Sequence, residues 1–221
     1  MVMQIKENET KVLRVRLWNR DYSFDVPIKA DELVLPWQSN KTDMISKAGI
    51  NKISYWLPPI LNFKQFSEIF NELRKLKSGH FICFGWEALK FAKLLPNLTF
   101  EVDWCFNVAN LSALAYLRNK GIEAVISKEW KDEDIPNDVN AFRAKSAWNP
   151  LVSYSRFVDA VKPDQIVKNS HNDSFFIIPV GNGVTGMFIE QRPNSVNDCS
   201  HSIQVDLAIS PKENLEAYFE Y

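Results

Sequence analysis

"FEVDWCFNVANLSALAYL", residues 100 to 117, alternates apolar and polar side chains as far as Asp103, turns polar at Asn107 and Asn110, and then runs apolar at helical spacing. Alternation of period two predicts a strand, and Leu111, Leu114 and Leu117 predict one face of a helix. Phe100, Val102 and Trp104 then share one face of the strand, and Glu101 and Asp103 share the other. Asn110 stands just before the helix, where its amide oxygen can accept from an orphan N–H, so it reads equally as a helix cap and as a site residue. Ligands of α/β proteins bind at the carboxyl ends of strands, which makes this junction the leading candidate site. Asp103 is expected to point into a water-facing mouth, with Asn107 on the loop above it.

The same grammar extends in both directions. Gly121 ends the helix and "IEAVISKEW" begins another strand, as Gly49 precedes "INKISYW". Recurring strand and helix units of this kind predict parallel βαβ connections, in a barrel or an open sheet. Phe63, Phe66, Ile69, Phe70, Leu73 and Leu76 form an apolar helix stripe, with Asn62 as cap and Gly79 as terminator. "HFICFGW" and "DELVLPW" read as strands, and "EALKFAKLLP" as a short helix stopped by Pro96. "KVLRVRLWNRDYSFDVPI" alternates on both sides of a polar turn and is expected to form a hairpin or two edge strands.

After Asp134 the crossover helices cease. "SFFIIPVGNGVTGMFIEQ" predicts two strands around a Gly-Asn-Gly turn, and "SIQVDLAI" predicts a further strand. The expected architecture is α/β, with a partial or trimmed (β/α) TIM-barrel-like region over residues 1–155. A β-rich C-terminal extension over residues 156–221 is expected to pack on it. At 221 residues the chain is short for a complete eight-unit barrel, for which about 250 is typical.

Composition excludes several classes of function. A net charge of −1 without a basic block argues against nucleic acid as a partner. The apolar runs fall well short of a membrane span, and the start "MVMQIKENETK" lacks the apolar core of a signal peptide, so a cytoplasmic location is expected. Cys83, Cys105 and Cys199 are dispersed, and so are His80, His171 and His201; capping or surface histidines and no metal site are expected.

Several segments, in order, resemble the collagenase-like peptidase family, number thirty-two among peptidases of unknown catalytic type. They are "FEVDWCFNVANLSALAYLRNKGIEAVISKEW", "WNPLVSYSRF" and "VKNSHNDSFFIIPVGNGVTGMFIEQRPNSV", within roughly Ile53 to Val196. The resemblance implies a β/α-barrel fold and a peptidase or hydrolase activity at the strand ends. It also implies kinship with iron-sulfur hydroxylases in the same family. Where cluster-bearing relatives place cysteines, this chain has Ser153, Ser155, Arg156 and Gly183. Four thiolates are the usual cluster set, so no such cofactor is expected here.

An enzyme of this layout needs a base and charge stabilisers on neighbouring strand ends. Asp103 and Glu129 are the catalytic candidates, and Asn107, Asn110, Lys128, Trp148 and Asn149 are the substrate-binding candidates. The expected partner is a small-molecule or peptide ligand. The competing expectation is a non-catalytic ligand-binding chain or the partner subunit of a heteromer, with a polar rim in place of an active site. Trp37, Trp56, Trp86 and Trp104 at strand ends suit either a ligand mouth or a core wall.

Overall fold

The computed structural model describes residues 12–18, 30–37, 50, 52–103, 106, 108, 110–124, 126–127, 141–142, 151–155, 165–181, 184–189 and 203–207. Its main element is a seven-stranded sheet built from β1 (Leu13–Leu17), β2 (Glu32–Pro36), β3 (Lys52–Trp56), β4 (His80–Cys83), β5 (Thr99–Val102), β6 (Ile122–Ala124) and β13 (Ile203–Leu207), in the order β13-β1-β2-β3-β4-β5-β6. Every neighbouring pair in it is parallel. Three helices cross between successive strands: α1 (Phe63–Leu73) before β4, α2 (Glu87–Leu94) before β5 and α3 (Leu111–Asn119) before β6. The α/β class follows, with each strand from β1 to β6 lying beside its predecessor, as short crossover connections require.

The local signals act as their chemistry dictates. Asn62 Oδ1 accepts from Gln65 N at 2.8 Å while Gln65 Oε1 accepts from Asn62 N at 3.0 Å, a reciprocal box that starts α1. Asn110 Oδ1 accepts from Ala113 N at 2.8 Å and starts α3. Gly121, at φ 72°, ends α3 in the left-handed region that favours glycine. Gly79 plays a different part from the expected terminator, because α1 is already capped at Arg74. A Cβ at Gly79 would stand 2.7 Å from the Phe81 ring, so the bare backbone there makes room for an aromatic core residue.

The helices cover one face of the sheet. Ile69, Leu73, Phe91, Leu114 and Leu117 pack on Phe81, Phe100 and Val102, and the Phe91 and Phe100 rings stack 5.6 Å apart. The apolar stripe of α1 is shorter than its spacing suggested. Phe63 is 81% exposed, and Leu76 lies beyond the helix end.

A second, antiparallel sheet has the order β10-β11-β12-β9, from β9 (Leu151–Ser155), β10 (Gln165–Lys168), β11 (Ser174–Gly181) and β12 (Val184–Ile189). β11 and β12 pair as the expected hairpin. A short parallel pair, β7 (Ile126–Ser127) with β8 (Ala141–Phe142), follows β6.

One expectation is revised by the pairing. β1 is neither an edge strand nor half of a hairpin, since β13 and β2 flank it and both run parallel to it. β9 joins the antiparallel sheet through β12, and β13 returns to the parallel sheet beside β1. No described helix is long and apolar enough to cross a membrane. The expected short helix before Gly49 and the expected terminal helix lie outside the described residues.

Candidate functional site

Side chains at every second position of a strand share a face, and the face opposite the helices carries a set of buried polar groups beside apolar ones such as Val34, Trp56 and Ile82. It carries Arg14 and Arg16 from β1, Glu32 from β2, Ser54 from β3, His80 from β4, and Glu101 with Asp103 from β5 and its end, all of them buried. Arg14 joins three strands. Its Nε donates to Glu32 Oε2 at 2.9 Å, and its Nη1 and Nη2 donate to Glu101 Oε1 and Oε2 at 2.6 and 3.1 Å. β1 and β5 are four strand spacings apart, about 19 Å in a flat sheet, farther than two side chains reach. The sheet is therefore curled, with the charges on its concave side. Trp56 Nε1 on β3 donates to Leu17 O on β1 at 2.8 Å, across β2, and requires the same curl.

Around this pair a second chain of bonds runs through Ser54. Its hydroxyl donates to Glu32 Oε1, and its oxygen lies 2.6 Å from His80 Nδ1. His80 Nε2 faces Glu101 Oε2 at 3.3 Å and Glu123 Oε2 at 3.6 Å. Lys52 Nζ, at the rim, lies 3.3 Å from Glu32 Oε1. One layer further along the strands, Arg16 Nη1 meets Asp103 Oδ2 at 2.8 Å. The Arg16 guanidinium in turn lies 4.6 Å from the Trp18 ring centroid and 5.6 Å from that of Phe84. With His80 protonated, the buried set balances: Arg14, Arg16 and His80 against Glu32, Glu101 and Asp103.

Burial by itself disfavours every one of these charges, and the partners reverse it. Burial would raise the Glu32 carboxyl, but His80, Arg14, Ser54 and Lys52 hold it well below the usual carboxylate range. Burial would likewise raise Glu101, which Arg14 and His80 hold down. Burial would lower the His80 imidazole, yet the Glu101 and Glu32 carboxylates outweigh it and shift it upward. The expectation of a capping or surface histidine is thus overturned: His80 is 8% exposed and sits among carboxylates.

The carboxyl ends of β4 and β5 form a different environment. Burial pushes the Glu87 carboxyl up, against the backbone N–H groups that it accepts from, including Gly85 N at 3.1 Å. Cys83 is buried with a thiol pushed up, mainly by that burial. Trp86 is 66% exposed and meets the Phe106 ring edge-on at 4.8 Å.

Of the residues expected to form the site, Asp103 and Asn110 fall among those described. The alternation of β5 is as expected, with Glu101 and Asp103 opposite Phe100 and Val102. The open mouth is not: Asp103 is 1% exposed and tied to Arg16. Asn110 is exposed and serves as a helix cap. Asn107, Lys128, Glu129, Trp148 and Asn149 lie outside the described residues. Trp56 is core, Trp37 is half-buried with its Nε1 donating to Glu72 Oε2, and Trp104 lies outside the described residues. Sequence reasoning missed Arg14, Glu32, Ser54 and His80 as a group, although "LRVRL" carries a charge at every second position of a buried strand. Where no metal donor set was expected, His80, Glu101 and Glu123 bring donor atoms within 4.8 Å of one another.

Compared with known family models, curated proteins and solved structures, the chain matches none.

Proposed function

We propose that this chain is a β/α-barrel protein, a divergent relative of the collagenase-like peptidases, that binds a peptide or small-molecule ligand at the carboxyl ends of its strands without cleaving it. The observation that carries the reading is the Arg16–Asp103 pair. A general base has to reach the proton it abstracts, and Asp103 is buried with its carboxylate committed to a guanidinium. Among the described residues, the Trp86–Phe106 pair is accessible at those strand ends, an aromatic surface suited to an apolar side chain or ring.

The barrel rests on the curl of the sheet and on its order. β13 extends the sheet beyond β1, and the parallel β7–β8 pair continues the chain beyond β6. Joining β8 to β13 would close a ring of parallel strands around the charge network. In a closed ring of this size the interior is filled by side chains rather than open as a pore.

The test is a mixed peptide library incubated with wild type, Trp86→Ala and Asp103→Asn, read by mass spectrometry for both retention and cleavage. Uncleaved peptides retained by wild type and lost in Trp86→Ala support binding. Cleavage by wild type that disappears in Asp103→Asn, with that variant still folded, would establish the peptidase reading instead.

A further inference from the structure

We propose that His80, Glu101 and Glu123 form a binding site for a divalent transition-metal ion, best matched to zinc, that ties β4, β5 and β6 together. The three residues come from adjacent strands, and Glu101 and Glu123 are register partners on β5 and β6. Their side chains converge because all three point to the concave face, with Glu123 at its edge.

The spacing distinguishes a cation site from a set of hydrogen bonds. An N–H···O bond to a carboxylate is about 2.7–2.9 Å long. His80 Nε2 stands 3.3 Å from Glu101 Oε2 and 3.6 Å from Glu123 Oε2, and makes no hydrogen bond among the described residues although His80 is buried. Zinc bonds to nitrogen and oxygen are about 2.0–2.2 Å, and at tetrahedral angles they place ligand atoms about 3.3–3.6 Å apart. Both His80 separations lie in that interval, and the three donor atoms all lie within 4.8 Å of one another.

The surroundings fix the imidazole in the form a metal needs. Ionised Glu32 can only accept, so the Ser54 hydroxyl donates to it and the Ser54 oxygen is left to accept from His80 Nδ1–H. That places one ring proton on Nδ1 and aims Nε2 at the two carboxylates, the arrangement in which a ligating histidine is held by a second hydrogen bond. Arg14 orients Glu101 in the same way, with its shorter contact on Oε1 and the longer one on Oε2, the oxygen nearest His80. Glu123 is 51% exposed at the side chain, which gives the ion an entry and leaves room for water as a fourth ligand. In this tautomer the Nε2 lone pair is the group that forms the N–metal bond. Because its three ligands come from three adjacent strands, the ion would hold those strands together.

Chelator-treated protein titrated with zinc chloride by calorimetry tests the site, alongside melting temperature with and without zinc. Wild type is expected to bind one equivalent and to melt higher with zinc. Glu123→Gln, at the exposed edge, should melt like wild type without zinc and bind zinc at least about tenfold more weakly. Glu123→Ala should behave the same way. Wild type with no zinc-dependent rise in melting temperature overturns the proposal. So does Glu123→Gln with wild-type affinity, which would assign the zinc to other groups such as the cysteines.

Discussion

The two faces of the parallel sheet are equally buried and chemically opposite. Phe100 and Glu101 are chain neighbours, each fully buried, yet Phe100 stacks among helix-facing rings and Glu101 sits between Arg14 and His80. A parallel sheet is normally covered on both sides and reads as continuous apolar runs. This one departs from that pattern because its concave face carries ion pairs beside Val34, Trp56 and Ile82. The apolar face gains from any area removed from water, about 25 cal/mol per Å². The polar face gains only when every charge has its partner, since the desolvation cost of a buried ion is recovered by geometry alone.

That contrast is broken most sharply by truncating the two neighbours. Glu101→Ala leaves the buried Arg14 and His80 cations sharing Glu32 as a carboxylate partner and is expected to cost about 5 kcal/mol. Phe100→Ala leaves a cavity and is expected to cost about 4 kcal/mol. Urea unfolding measures both. The decisive comparison is the double variant Arg16→Met with Asp103→Leu, which removes a whole pair. It should be neutral or stabilising by about 1–4 kcal/mol, while Asp103→Asn alone, which takes the Asp103 charge away from Arg16, should destabilise. If the double variant is as damaging as the single, the polar face contributes net stability and not only specificity.

A gentler probe is pH, because among the described residues the network of opposite charges lies on the concave face. Glu32 and Glu101 have depressed folded pKa values, so their stabilisation is present above the unfolded value of about 4.3 and is lost as pH falls through the folded values. His80 is raised, so its stabilisation is complete below the unfolded value of about 6.5 and is lost as pH rises through the folded one. Melting temperature should therefore be greatest between about pH 4.5 and 6.5. Glu87, also raised, adds loss on the alkaline side of its own unfolded value. His80→Asn separates the two by flattening the slope above pH 6.5 alone; an unchanged slope there would remove His80 from the network's charge balance.

The smallest effect belongs to a residue outside both faces. Asn110→Ala removes one cap bond and should cost about 1 kcal/mol by urea unfolding, without altering any ligand interaction. A larger loss of ligand binding than of stability would return Asn110 to the candidate site.

Local chemistry was legible in the sequence. The β5 alternation, the caps at Asn62 and Asn110, and the glycine after α3 all depend on residues a few positions apart, and they fold as read. The role of the polar face was not legible, because its meaning depends on partners that a local pattern does not contain. "LRVRL" alternates like an edge strand, and only the presence of β13 and β2 on either side makes it central. His80 looked isolated because Ser54, Glu101 and Glu123 reach it from other strands. Asp103 was placed on the correct face but at the wrong depth: a carboxylate at a strand end suggests water, and Arg16 replaces the water.

The Arg14–Glu101 contact, 87 residues apart in the chain, also orders events in time. At about 5–20 residues per second, a ribosome adds Glu101 roughly 4–17 s after Arg14. Through that interval Arg14 has no acceptor on β5, and a guanidinium does not leave water without one. The nascent helices can dock their apolar faces as they emerge, while the concave side stays hydrated until its last counter-ion arrives. Long-range closure of this kind is slow and late, so replacements at Arg14 should accelerate unfolding while leaving the refolding rate nearly untouched.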